Sequence, residues 1–193
     1  MTDDDSEDTF YTEDRWANWL DRVREEELNP EDEDSARLLL NLQDDAAIAV
    51  AKIIDAYEDD QIDADRAGAE LESVREIVLD EVDFEDENKL MLIDGVQTSL
   101  VPVFYAAEEF IVGGPADGNI GEFVDAAAES EQDEDLDAAL GYLVQAGSLV
   151  IDGQTLPQAM GEELDYGLVS EWVNGLDSLQ SALQDPEEVE GDA

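Results

Sequence analysis

Apolar residues recur at three- and four-residue steps along almost the whole chain, a spacing that an α-helix gathers into one stripe and a β-strand does not. Leu38, Leu42, Ala46, Ala49, Val50, Ile53 and Tyr57 make one such stripe, and Met160, Leu164, Leu168, Trp172, Leu176, Leu179 and Leu183 another. Each predicts a long helix. Shorter stripes predict three more: Trp16, Trp19, Leu20 and Val23; Leu71, Val74, Ile77 and Val78; and Leu136, Leu140, Leu143, Val144 and Ile151. Boundary signals agree. Thr155-Leu156-Pro157-Gln158 reads as a capping box with proline in the first turn, Asn119 precedes Glu122 by three, and Gly113-Gly114-Pro115 is a stop.

Two features pull the other way. Leu90, Ile93, Val96, Leu100, Phe104, Ala107 and Ile111 form a helical stripe, but Pro102 removes one backbone hydrogen bond and predicts a kink near Thr98. Asp94-Gly95 and Asp152-Gly153 are hairpin signals when strands flank them. Around Asp94 the flanking residues do not alternate, which favours helix, and Asp152-Gly153 fits a helix end. A short echo between Ile93–Pro102 and Ile151–Pro157 is too brief to indicate a repeat fold. The expected fold class is all-α, a compact bundle of about six or seven helices, with a mainly helical fold carrying one small β-hairpin as the alternative.

Whether such stripes can collapse depends on charge. The chain holds 55 Asp and Glu against 8 Lys and Arg, a net charge of -47 on 193 residues. In dilute buffer this repulsion opposes a compact state; at about 1 M salt the Debye length falls to about 3 Å and most of it vanishes. With 43% hydrophobic residues the chain has enough apolar surface for a core, which separates it from an acidic disordered protein. The composition therefore predicts a cytoplasmic protein of a cell that accumulates salt. The basic residues all lie before residue 90, and no linker-like stretch follows them, so one domain is expected over residues 10–185 between acidic tails at 1–9 and 186–193. The acidic start does not resemble a signal peptide, and no stretch is read as a membrane span.

The chain has neither cysteine nor histidine. Disulfides, thiolate nucleophiles, Ser-His-Asp arrangements and Cys- or His-ligated metals are thereby excluded. Carboxylates remain, and they suit Mg²⁺. Glu122/Asp125 and Glu162/Asp165 have the three-residue step that points two carboxylates from one helical face, although a chain this acidic produces such pairs by chance. Asp133, Asp135 and Asp137 imitate the start of a calcium loop but lack its glycine and final glutamate, as does the Asp117-Asn119-Gly121 stretch its terminal acid. Gly113–Gly118 lacks the lysine and hydroxyl of a phosphate loop. No catalytic residue and no cofactor site is assigned, the metal question stays open, and so much negative charge argues against nucleic acid as a partner.

Tyr11, Trp16 and Trp19, next to Phe10, are the candidate interaction surface, because Tyr and Trp dominate interface hot spots. The same aromatics on an amphipathic helix can equally dock on the chain's own core. For self-association, the helix bearing Gly141, Ala146 and Gly147 is the other candidate.

Three long segments also carry a resemblance: Asp34-Ser35-Ala36-Arg37-Leu38-Leu39-Leu40-Asn41-Leu42-Gln43-Asp44-Asp45, the stretch from Met91 to Gly114, and Gly167-Leu168-Val169-Ser170-Glu171-Trp172-Val173-Asn174-Gly175-Leu176-Asp177-Ser178-Leu179-Gln180-Ser181. They resemble a haloarchaeal family catalogued as a domain of unknown function, over roughly Tyr11 to Pro186. The resemblance implies no activity, cofactor or site residue. The functional expectation is a non-catalytic protein-interaction or regulatory protein, with a protein partner or a second copy as ligand; the alternative is a carboxylate-Mg²⁺ phosphohydrolase acting on nucleotides.

Overall fold

The computed structural model describes residues 10–29 and 31–184. They form eight α-helices and, among the described residues, no strand: α1 (Glu13–Glu25), α2 (Glu33–Glu58), α3 (Ala64–Val78), α4 (Glu87–Gly113), α5 (Ile120–Gln132), α6 (Leu136–Ile151), α7 (Gln158–Glu163) and α8 (Leu168–Gln184). This is the all-α bundle that the stripes predict, with one helix more than the upper expectation. The segments expected to be tails, 1–9 and 186–193, lie outside the described residues.

The extra helix comes from the stripe over Met160–Leu183, which is two helices and not one. α7 ends at Glu163 and α8 restarts at Leu168. The restart is fixed by α5: the Glu131 carboxylate accepts the Leu168 backbone N–H at 2.7 Å and that of Val169 at 3.3 Å, satisfying two free donors at the positive end of α8. Gly167 makes room for it, since a Cβ there would stand 2.5 Å from Glu131 Oε1. Nor does Thr155 cap α7. Gln180 of α8 holds the backbone of Leu156 instead, accepting its N–H at 2.6 Å and donating to its carbonyl at 3.3 Å.

The other boundaries follow local chemistry. Thr12, Asp63, Asp86, Asn119 and Asp135 each cap a helix with a side-chain oxygen. Asp94-Gly95 lies inside α4, and Gly153, at φ 101°, turns the chain out of α6. Gly114, at φ 77°, ends α4, which is helical through Pro102.

α4 is the central helix and packs against α2, α3, α6 and α8. Ten of its residues are buried, Phe104 and Leu100 completely. It is also long and apolar enough to cross a membrane, with a mean hydropathy of 1.4 in its most apolar stretch, which corrects the expectation that no stretch approaches a span; half of that stretch is covered by the fold. Two glycines let other helices close on α4. A Cβ at Gly147 of α6 would lie 2.5 Å from Ala106 Cβ, and one at Gly175 of α8 would overlap the Ser99 carbonyl. Beside that second crossing, Gln43 of α2 donates to Ser178 Oγ at 2.9 Å and to the Asn174 carbonyl at 3.3 Å, while its own carbonyl oxygen lies 2.7 Å from the Ser99 hydroxyl. Helices α2, α4 and α8 are thus pinned by one satisfied polar knot inside the apolar core.

Candidate functional site

The aromatic residues singled out at the N-terminal end settle on the chain's own core. Tyr11 is 3% and Trp16 5% exposed, and both belong to the main hydrophobic cluster. Trp19 is half-buried and packs against that cluster. Its indole N–H donates to Asp45 Oδ2 at 2.9 Å, and Arg15 grips both oxygens of the same carboxylate, with Nε at 2.8 Å from Oδ2. Asp45 sits in the middle of α2 with 1% of its side chain exposed, so this forked pair is what compensates a buried charge. The Tyr11 hydroxyl is buried near Asp45 without a hydrogen bond of sound geometry. Burial first, and then the Asp45 charge, push its phenol far above the ordinary range, against the opposing pull of Arg15. Arg22 covers the Trp19 ring at 4.7 Å. Arg15 and Trp19 thus hold α1 to α2, Tyr11 just before α1 and Trp16 on it are buried in the core, and Trp19 is the most accessible of the trio.

The exposed apolar surface lies elsewhere. Tyr105 and Val112 of α4 are 41% and 88% exposed, seven residues apart and so on one face of the helix. Tyr105 stands on a ridge: Arg75 of α3 reaches over its ring at 5.6 Å and pairs with Glu108 at 2.6 Å. On one side of the ridge is an open cleft of about 1200 Å³ among α1, α3 and α4, walled by Trp16, Ser73, Ile77, Leu79 and several acids. On the other is a groove of about 670 Å³ between α4 and α6, lined by the aliphatic Val112, Leu140 and Val144, by Gly141 and Gln145, and by the acids Glu108, Glu109 and Asp137. Tyr105 borders both. Of the small residues expected to serve self-association, Ala146 and Gly147 are buried in the contact with α4 and α8, and Gly141 alone faces this groove. Sequence reading misses Tyr105 and Val112 because α4 is apolar on nearly every side, so its core stripe masks a second, outward one.

The carboxylate pairs do not converge. Glu122, Asp125, Glu162 and Asp165 are all exposed, and among the described residues no three acidic side chains form a group able to hold a metal ion. The carboxylates that depart from ordinary behaviour do so first through burial and then through neighbouring charge. Burial raises Asp44, helped by the Asp177 charge and opposed by Ser178; burial and then Asp55, Asp152 and Asp59 raise Glu58; burial and then Asp59 raise Asp55. These are mutually repelling acids, not a poised acid–base pair.

The chain belongs to the family described as an uncharacterized protein conserved in archaea (DUF2150), which matches it over residues 9–192. No curated protein matches it, and no solved structure does.

Proposed function

We propose that this chain is a non-catalytic binding protein of a salt-rich cytoplasm, and that it binds a protein partner through the α4 face centred on Tyr105. The observation that carries this reading is the exposure of Tyr105 and Val112 on the central helix of the fold, at the meeting of a cleft and a groove. Exposed aromatics bordering concave apolar surface are what partner chains bury. Metal-assisted chemistry would need several converging carboxylates, and no three described acids form a group able to hold a metal ion. A net charge of -47 repels phosphate backbones and anionic headgroups alike.

The test is affinity capture from the native host in about 2 M KCl, where the fold is screened against self-repulsion. A partner retained by the parent chain and lost with Tyr105→Glu supports the reading. Equal retention by the two chains overturns it, as does Mg²⁺-dependent nucleotide hydrolysis by the purified protein.

A further inference from the structure

Resting on the reading of the α4 face as a binding surface, we propose that the α4–α6 groove receives a basic amphipathic helix of the partner, with an aliphatic side chain seated over Gly141 and Lys or Arg side chains on the acidic rim.

Three observations define that occupant. The apolar part of the lining is aliphatic, made by Val112, Leu140 and Val144, so it suits an aliphatic side chain. The rim is acidic on both walls, with Glu108 and Glu109 on α4 and Asp137 on α6, and the pairing of Glu108 with Arg75 leaves Glu109 and Asp137 to meet a cation. A second copy of this chain would bring more carboxylates against them, and like charges pressed together out of water are unfavourable even where salt screens longer distances. A partner bringing cations satisfies the rim. The third observation is the shape at Gly141. Nothing lies within 4 Å of where a Cβ would be, and the residue is exposed in the middle of α6. Gly147, six residues further along α6 and on another face, accommodates α4; at Gly141 the helix surface is open and without a side chain, so the backbone of a crossing helix can approach closely there. Gly68 of α3 is as open but lines none of the grooves described, which makes it the matched control.

The probe is a synthetic helical peptide of about 18 residues with a leucine stripe flanked by lysines, compared with the same peptide carrying glutamate for lysine, titrated into the full-length isotope-labelled protein in about 1 M KCl. Amide shifts confined to residues around Tyr105, Val112, Leu140 and Gly141 are expected with the lysine peptide. Binding should weaken about tenfold or more with the glutamate peptide, and likewise in Gly141→Leu, whose side chain fills the groove without touching the core, whereas Gly68→Leu should bind as the parent does. Helical circular dichroism confirms that both variants fold. Shifts spread evenly over the acidic surface, equal binding of the two peptides, or parent-like binding by Gly141→Leu would overturn the proposal. So would a doubled mass by light scattering that Gly141→Leu abolishes, because the occupant would then be a second copy. A partner lost with Tyr105→Glu but kept with Gly141→Leu would end this inference and leave the binding reading standing.

Discussion

Gly175 of α8 lies directly against the Ser99 carbonyl of α4, with no room between them for a Cβ. This contact sets how closely the two helices cross, beside the Gln43–Ser99–Ser178 hydrogen bonds. Gly175→Ala must push backbone away from backbone, so a loss of about 3 kcal/mol is expected, at the upper end of overpacking costs. Gly141→Ala meets open space and should gain about 0.5–1 kcal/mol from its better helix propensity. Urea unfolding of both variants in molar KCl checks the opposite signs.

The Arg15–Asp45 pair should respond asymmetrically. Asp45 has 1% of its side chain exposed and Arg15 54%, so the arginine can reach water when its partner is neutral but the aspartate cannot. Arg15→Met is therefore expected to cost about 3 kcal/mol by stranding a buried charge, and Asp45→Asn clearly less. Matched thermal melts of the two variants give the order; equal costs would mean that the carboxylate is not enclosed in solution.

Alkali should open the same region. The Tyr11 phenol is raised in the fold, so folding favours its protonated form, and stability is lost as pH climbs past the ordinary tyrosine value of about 10. Tyr11→Phe should flatten that limb.

Mild acid should do the reverse. Asp44, Asp55 and Glu58 are raised in the fold, so each binds its proton more tightly folded than unfolded, and their repulsion is relieved as pH falls toward the carboxylate range. The melting temperature is expected to rise as pH is lowered from 7 to about 5, with a smaller rise in Asp44→Asn. A melting temperature that falls over this interval would contradict that sign.

Screening should matter more than any single residue. Between about 0.1 M and 2 M KCl the Debye length shrinks severalfold, and helical circular dichroism and the melting temperature should climb together. An unchanged melting temperature would detach the acidic composition from salt-dependent folding.

The helices were legible because their apolar residues face one core, as Leu42, Ala46 and Ile53 do on α2 and Leu71 and Val74 on α3. Local pattern failed where a distant residue decides. Glu131 starts α8 from another helix, and Gln180 holds the Leu156 backbone in place of Thr155, so neither the break at Leu164–Gly167 nor the missing cap is written in the neighbouring sequence. The candidate surface was misplaced for a similar reason. Trp16 and Trp19 have the composition of an interface, but Trp16 is buried in the core and Asp45, 26 residues beyond Trp19, draws Trp19 inward. Tyr105 faces outward on a helix whose stripe reads as core throughout.

Tyr105 and Tyr166 provide the most direct test of the binding claim, being exposed by 41% and 92% and differing in that only Tyr105 borders the grooves. A photo-reactive amino acid is placed at each position in turn, in the full-length chain expressed in its native host, and illuminated in living cells. One discrete protein adduct is expected from position 105 and none from position 166. Adducts of equal yield from both positions, or from position 166 alone, would contradict that claim.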